Sequence, residues 1–240
     1  MFKTLMAAAV IATLPLAAAA TPVVMNFDTD GGTATWLNDD ASTNTLLGYA
    51  FGDFEFSIFH VATRSNASGA NLFDMDACDS EASCVGNDDG DLIPQTENEN
   101  GVDGRLLIRQ DADNQGNPLP LDDDDAASGY ITFTLKSGPA FSLAGFSAID
   151  VTRLALYSGI GTSGPLLATV SGLDNNRTEA VSFAPSSLIN VGESFTFAFD
   201  GSGGVDSIVL APVPLPAGGL LLLGGLGGLA IVRRRMAAKS

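Results

Sequence analysis

Apolar residues recur at every second position in three short runs of the chain. Phe195, Phe197 and Phe199 alternate with small or polar residues, and the same alternation runs through Phe54–Ile58 and Ile131–Leu135. A period of two sends alternate side chains to opposite faces of a β-strand. The pattern therefore predicts strands with one buried face. Burial between two sheets would also explain why 14 phenylalanines outnumber one tryptophan and three tyrosines.

Seven further segments have the length and composition of strands. Clusters of Gly, Asn, Asp and Pro separate them, and these residues favour turns. About ten short strands between residues 21 and 212 predict an all-β fold, an antiparallel β-sandwich of the jelly-roll type. The seven segments are Val23–Asp28, Arg105–Arg109, Gly145–Thr152, Leu154–Tyr157, Leu166–Val170, Glu179–Phe183 and Val205–Leu210.

The acidic residues are confined to the middle of the chain. All 28 Asp and Glu residues lie between Asp28 and Asp206, with six of the 11 Lys and Arg residues, so residues 21–212 carry a formal charge of −22. Nucleic-acid binding needs a basic surface, so no nucleic-acid partner is expected. His60 is the single histidine, and no motif pairs a nucleophile with a base. We therefore predict that the protein is not an enzyme.

The first 20 residues have the three parts of a secretory signal peptide. Lys3 supplies a positive charge, Leu5–Leu16 an apolar stretch and Ala17–Ala20 a small-residue cleavage site. This order predicts export with removal of residues 1–20, so that the mature chain begins at Thr21. An N-terminal membrane helix that is never cleaved is the alternative.

The other end of the chain combines a proline motif, an apolar segment and a basic cluster. Residues 217–232 are uncharged, and as a helix they would span about 24 Å, slightly less than a ~30 Å hydrocarbon core. The basic cluster predicts that residues 236–240 stay in the cytoplasm while the preceding domain lies outside. The motif is Val213, Pro214, Leu215, Pro216 and Ala217, and the basic cluster is Arg233, Arg234 and Arg235.

This ordered tail, residues 213–235, resembles the VPLPA variant of the PEP-CTERM sorting signal of Gram-negative bacteria. The resemblance implies processing near Pro216 by an exosortase, a membrane-embedded enzyme similar to cysteine transpeptidases, in bacteria that make exopolysaccharide. It implies anchoring in the inner membrane before processing and a place at the cell surface or in the extracellular matrix afterwards. A permanent single-span anchor is the alternative. More loosely, the middle of the chain resembles an exported bacterial β-domain of unknown activity. This resemblance rests on Leu72–Asp74, Asp88–Leu92, Leu106–Arg109, the aspartates before Gly129, and Gly201–Ile208.

Residues 74–125 form an acidic loop region with 16 acids and two bases. Cys78 and Cys84 lie within it, and in an exported chain they are expected to form a disulfide. A bridge that closes so short a loop contributes about 2 kcal/mol. It would therefore constrain this loop locally, and the stability of the rest of the domain would come from its hydrophobic core.

Calcium is the predicted cofactor, because Asp- and Asn-rich loops supply the six to eight oxygen ligands that calcium takes. One candidate site is Asp111, Asp113 and Asp122, whose spacing approximates an EF-hand loop, although Gln115 and Pro118 depart from that pattern. An acidic surface suited to saline surroundings is the alternative interpretation of the whole region.

A second candidate calcium site joins the first and last strands, which we expect to be neighbours. Asn26 and Asp28 end the first strand and Asp206 begins the last. Strict alternation puts Asp206 on the same face as Ile208 and Leu210, where a cation would compensate a buried carboxylate. A turn aspartate without a metal is the alternative.

The sequence thus favours an exported, exosortase-sorted protein of the cell surface or exopolysaccharide matrix, without catalytic activity and stabilised by calcium. A carbohydrate-binding module is one alternative, and it would need Trp36, Tyr49 and Tyr157 on one face. A secreted glycoside hydrolase is another, and it would need two carboxyl groups in one cleft.

Overall fold

The computed structural model describes residues 21–28, 32–36, 46–62, 69–74, 92, 99–110, 128–173, 176–186 and 188–213. These residues contain no α-helix, and thirteen strands run through them. The strands are β1 Val23–Met25, β2 Thr33–Trp36, β3 Leu46–Phe51, β4 Phe54–Ala62, β5 Gly69–Asp74, β6 Arg105–Gln110, β7 Gly129–Ser137, β8 Phe141–Ile149, β9 Arg153–Ser158, β10 Leu166–Ser171, β11 Thr178–Ser182, β12 Ser194–Phe199 and β13 Gly204–Pro212.

The strands form two sheets in which all neighbours are antiparallel. The first sheet has the order β11-β8-β13-β6-β5, and β1 also pairs with β13. The second sheet has the order β10-β9-β12-β7-β4-β3-β2. The prediction of an all-β antiparallel fold is confirmed, and the arrangement is consistent with a β-sandwich.

Phenylalanine rings from both sheets make up the core between them. Phe141 of β8 lies with its ring centroid 5.5 Å from that of Phe54 and 5.9 Å from that of Phe56, both on β4. Phe146 of β8 contacts Phe197 of β12 at 5.2 Å. The predicted alternation in β4, β7 and β12 is confirmed, because their alternate apolar residues belong to one buried cluster.

A smaller apolar cluster lies on the other face of the first sheet. Leu107 of β6 belongs to the main core, whereas its neighbours Leu106 and Ile108 pack with Leu92 and Val102. The residues around Val102 thus cover this face of the sheet, so β6 is buried on both sides. The continuous run of apolar residues in β6 is typical of such a strand.

Several strand boundaries differ from the predicted ones. β8 begins at Phe141 rather than Gly145, and β2, β3 and β5 were not predicted. In β3 the register is irregular, since Thr35 pairs with Gly48 but Trp36 pairs with Leu46. Such a bulge interrupts the period of two on which the prediction depended.

The two predicted processing signals lie outside the described residues, except for Val213 at the end of the described chain. The predicted disulfide between Cys78 and Cys84 also lies outside them. A membrane-crossing helix is not among the elements of the described residues. Residues Thr21–Val213 form one compact unit by their internal contacts.

Candidate functional site

Strand β13 changes its neighbour at Asp206. Gly204 and Val205 pair with β6, whereas Ile208 to Leu210 pair with β1 on the same side of the strand. Between these two stretches, Ser207 adopts a positive φ of 49° and the register with β8 shifts. The end of β1 and the start of β6 therefore meet beside Asp206.

Backbone amides hold two carboxylates at this junction. Asp206 accepts a hydrogen bond at Oδ2 from the Asp103 amide at 3.2 Å and at Oδ1 from the Ser207 amide at 2.6 Å. Asp28 accepts at Oδ1 from the Arg105 amide at 2.9 Å and at Oδ2 from Asn26 Nδ2 at 2.7 Å. We call Asn26, Asp28, Asp103 and Asp206 the Asp206 cluster.

The segment that precedes β6 covers Asp206. The Ser147 hydroxyl donates to Asn100 O at 2.7 Å, and the Ser207 hydroxyl donates to Gly101 O at 2.6 Å. These bonds fasten residues 100 and 101 across the first sheet, so only 1% of Asp206 is exposed.

Burial makes the charged form of Asp206 unfavourable. Desolvation, with a smaller contribution from the nearby charges of Asp28 and Asp103, raises the pKa of Asp206 to about 7. The amides of Ser207 and Asp103 act in the opposite direction, because they donate to the carboxylate. Near neutral pH this carboxyl group is therefore close to half protonated unless a cation compensates its charge.

The cluster also contains a buried acceptor that receives no donor. Asn26 Oδ1 is buried and accepts no hydrogen bond from any described residue. An unsatisfied buried oxygen is costly, and amide oxygens are ordinary ligands of calcium. This atom is the observation that best fits a cation at the cluster.

The oxygen atoms of the Asp206 cluster suit calcium, but the side chains that carry them do not converge on a single point. Three carboxylates and one amide oxygen form an oxygen-only set, which suits a hard cation. Within the described part of the chain, however, no group of three His, Cys, Asp or Glu residues is arranged to hold a metal ion. Calcium binding would require these carboxylates to turn towards a shared point.

The structure brings together three of the six predicted metal ligands. Asn26, Asp28 and Asp206 meet because β1 and β13 are paired, as the sequence led us to expect. The acidic-loop candidates Asp111, Asp113 and Asp122 lie outside the described residues.

Asp103 belongs to the Asp206 cluster, although its sequence context did not predict a site. Its amide donates to Asp206, and its own Oδ1 accepts a hydrogen bond from the Gly104 amide at 3.0 Å. The signal was an Asp-Gly pair directly before a strand, which is typical of a turn.

The predicted face of Asp206 was wrong. Val205 lies in the main core, as do Ile208 and Leu210. The extra residue at Ser207 makes this possible, because it interrupts the alternation. Asp206 pairs with Ser147 on the face that residues 100 and 101 cover.

The three aromatic residues that a carbohydrate-binding module would need on one exposed face do not share one, because Tyr49 is buried. Tyr49 is only 2% exposed, and its hydroxyl donates to Asn26 O at 2.8 Å. Tyr157 lies on β9, half-buried on the solvent side of the second sheet. The side chain of Trp36 is outside the described part of the structure.

Comparisons with known proteins do not place the chain in a family. No protein-family model and no curated protein matches it. Among solved structures, it is similar to the enzymatically active domain of tailspike protein 4 of bacteriophage CBA120, with 12% identity and a TM-score of 0.32. The match covers 66% of this chain and 19% of the tailspike chain.

Proposed function

We propose that the protein is exported, sorted by an exosortase-type enzyme and kept at the cell surface or in the exopolysaccharide matrix. There it would act as a non-catalytic β-sandwich domain of the jelly-roll type. The observation that carries this proposal is the ordered tail of proline motif, uncharged segment and three arginines in residues 213–235. An ordinary membrane anchor does not need Pro-Leu-Pro-Ala before its helix.

Intact mass spectrometry of the protein from the envelope and the medium of its host tests the sorting step. The expected mature chain begins at Thr21 and ends near Pro216. Recovery of a mature chain that still carries residues 233–240 would overturn the proposal.

A paired set of variants tests the motif itself. The double variant Pro214→Ala/Pro216→Ala should accumulate in the inner membrane, because its apolar segment and arginines are intact. Pro185→Ala is the control, since this exposed proline lies within the β-domain. Equal processing of both variants would show that the proline motif is not the signal.

The proposal includes a calcium ion held by Asn26, Asp28 and Asp206, with Asp103 as an added ligand. Bound calcium would supply positive charge that offsets the mutual repulsion of these carboxylates and the buried charge of Asp206. Asn26 Oδ1 would gain a partner that none of the described residues provides. The role would be structural, since the ion would join the first and last strands.

Thermal unfolding at matched ionic strength tests this ion. A hundredfold excess of calcium over its Kd should stabilise the protein by about 2.7 kcal/mol, which corresponds to a rise in Tm of roughly 5–10 °C. Magnesium should substitute poorly, because it requires a tighter octahedral site. Indistinguishable Tm values in calcium, magnesium and sodium would contradict the proposal.

Single-residue variants distinguish between the two candidate calcium sites. Asp206→Ala should abolish the calcium response, whereas Asp53→Ala, at an exposed turn between β3 and β4, should leave it unchanged. Loss of the response in Asp111→Ala and Asp113→Ala instead would assign calcium to the acidic loop region.

A further inference from the structure

A small cleft opens on the solvent side of the second sheet, and none of the Asp206 cluster residues lines it. It has a volume of about 220 Å³, and its lining includes Arg153, Ala155, Tyr157, Ala198 and Asp200. Ligand pockets for drug-sized molecules usually measure about 300–1,000 Å³. This cleft, which we call the outer-face cleft, is therefore sized for a single small ring.

The strand register explains the shape of the outer-face cleft. Ala198 of β12 lies opposite Ala155 of β9, so two small side chains form a low floor. Arg153 and Tyr157 lie two residues to either side of Ala155, so a period of two directs them to the same face. Asp200 follows Ala198 by two residues, and its amide donates to Arg153 O at 2.9 Å.

Polar groups in the cleft are available for a ligand. Neither the Arg153 guanidinium nor the Tyr157 hydroxyl makes a hydrogen bond or ion pair with another described residue. Thr162, from the loop between β9 and β10, adds an exposed hydroxyl to the lining. Asp200 Oδ1 accepts a hydrogen bond from the Ser128 hydroxyl at 2.7 Å, which orients the carboxylate.

We infer that the outer-face cleft binds one ring of a neutral saccharide. A sugar ring has an apolar C–H face that suits the Tyr157 ring, and hydroxyls that both donate and accept hydrogen bonds. Arg153 can only donate and an ionised Asp200 can only accept, so the pair matches adjacent hydroxyls.

Charge decides between a neutral and an anionic ligand. Residues 21–212 carry a formal charge of −22, and Asp200 lies in the cleft itself. An anionic sugar would meet repulsion from both, whereas a neutral sugar would not. This inference goes beyond export and sorting, and its test does not depend on how the tail is processed.

Saturation-transfer NMR with the full-length chain tests the inference. The chain is held in a zwitterionic detergent, because sugar-based detergents would compete. The probes are the methyl glycosides of glucose, galactose and mannose, with methyl glucuronide as the anionic probe. At least one neutral glycoside is expected to bind at millimolar concentration. Absence of transfer to all three, or transfer to the glucuronide alone, overturns the inference.

Matched variants assign the binding to this cleft. Arg153→Gln and Tyr157→Ala should each weaken binding at least tenfold. Tyr157→Phe keeps the ring and should lose no more than about fivefold, the loss expected for one hydrogen bond. The controls are Arg177→Gln, an exposed arginine just before β11, and Phe59→Ala, an exposed ring outside the cleft. Unchanged binding in Arg153→Gln and Tyr157→Ala overturns the assignment.

Amide chemical shifts of the unmutated chain provide a second readout that does not depend on variants folding. The bound glycoside should shift the amide signals of Thr162, Ala198 and Asp200. Shifts confined to residues outside the cleft would contradict the inference.

Discussion

A Cβ atom on Gly104 would overlap with Oδ1 of Asp28. Gly104 immediately precedes β6 with a φ of +61°, and the Arg105 amide that follows donates to the same oxygen at 2.9 Å. The close approach of the backbone to this carboxylate is what joins β1 to β6 at the Asp206 cluster.

Gly104→Ala should therefore be strongly destabilising. The alanine would adopt a left-handed conformation at a cost of about 1–2 kcal/mol. It would also displace Asp28 from the Arg105 amide, at a further cost of about 2 kcal/mol. Urea unfolding measures the sum.

Gly172→Ala is the matched control for that measurement. Gly172 has a φ of +73°, and no atom lies within 4 Å of the position of its Cβ. This variant has the conformational cost without the overlap, so it should be less destabilised than Gly104→Ala by about 2 kcal/mol. Equal losses in the two variants would mean that the contact with Asp28 contributes nothing.

The stability of the protein in a calcium chelator should fall as pH rises from about 4 to about 7. The pKa of Asp206 is about 7 in the folded state and about 3.9 when unfolded. Between these values the folded state binds more protons, so raising the pH favours unfolding. The difference corresponds to about 4 kcal/mol across this range.

Asp206→Asn isolates that contribution from the general repulsion among acids. The variant cannot ionise, so the free energy of unfolding of the wild type relative to the variant should decrease between pH 4 and pH 7. Above pH 7 the difference should become constant. A difference that does not change with pH would show that Asp206 is already ionised at low pH.

The core of this fold could be predicted from local patterns because the same pattern recurs on neighbouring strands. The alternating residues of β4, β7 and β12 are buried between the sheets as expected. The pairing of β1 with β13 was also expected. Both predictions depend only on a period of two and on which strands are first and last.

The details of the candidate site could not be predicted, because they depend on an interruption of that period. Ser207 is not a glycine, yet its φ is positive, and nothing in the surrounding sequence predicts this conformation. Asp103 reaches the cluster because residues 100 and 101, which are far from Asp206 in the sequence, fold over the first sheet. The burial of Tyr49 beside Asn26 accompanies the irregular register of β3 and was likewise not predictable from the sequence.

Phe195→Ala should cost about 3–5 kcal/mol of stability. Its ring is fully buried, stacks on Phe133 at 4.9 Å and contacts Phe141 of the opposite sheet at 6.3 Å. Phe59→Ala is the control, since 59% of this residue is exposed, and it should cost no more than about 0.5 kcal/mol. Comparable losses in urea unfolding would contradict a core built from the alternating phenylalanines.

Thr196 is a polar residue without solvent exposure on the outer side of the second sheet. Its hydroxyl donates to Gly159 O at 2.7 Å and accepts from the Gly161 amide at 3.0 Å. Its oxygen also lies 2.8 Å from the Thr132 hydroxyl. Because one hydroxyl carries one hydrogen, Thr132 is the donor in that pair. Thr196 thus fastens the loop between β9 and β10 onto the sheet.

Thr196→Val should remove these hydrogen bonds while nearly preserving shape. Gly159 O, the Gly161 amide and the Thr132 hydroxyl would lose a partner, at a total cost of about 2–3 kcal/mol. Hydrogen exchange of the Gly161 amide should accelerate. Thr134→Val is the control, because Thr134 is half-buried and, within the described part of the chain, its hydroxyl bonds only to that of Ser194 at 2.8 Å. It should cost about 1 kcal/mol and leave exchange at Gly161 unchanged, so equal exchange rates in the two variants would show that Thr196 does not fasten the loop.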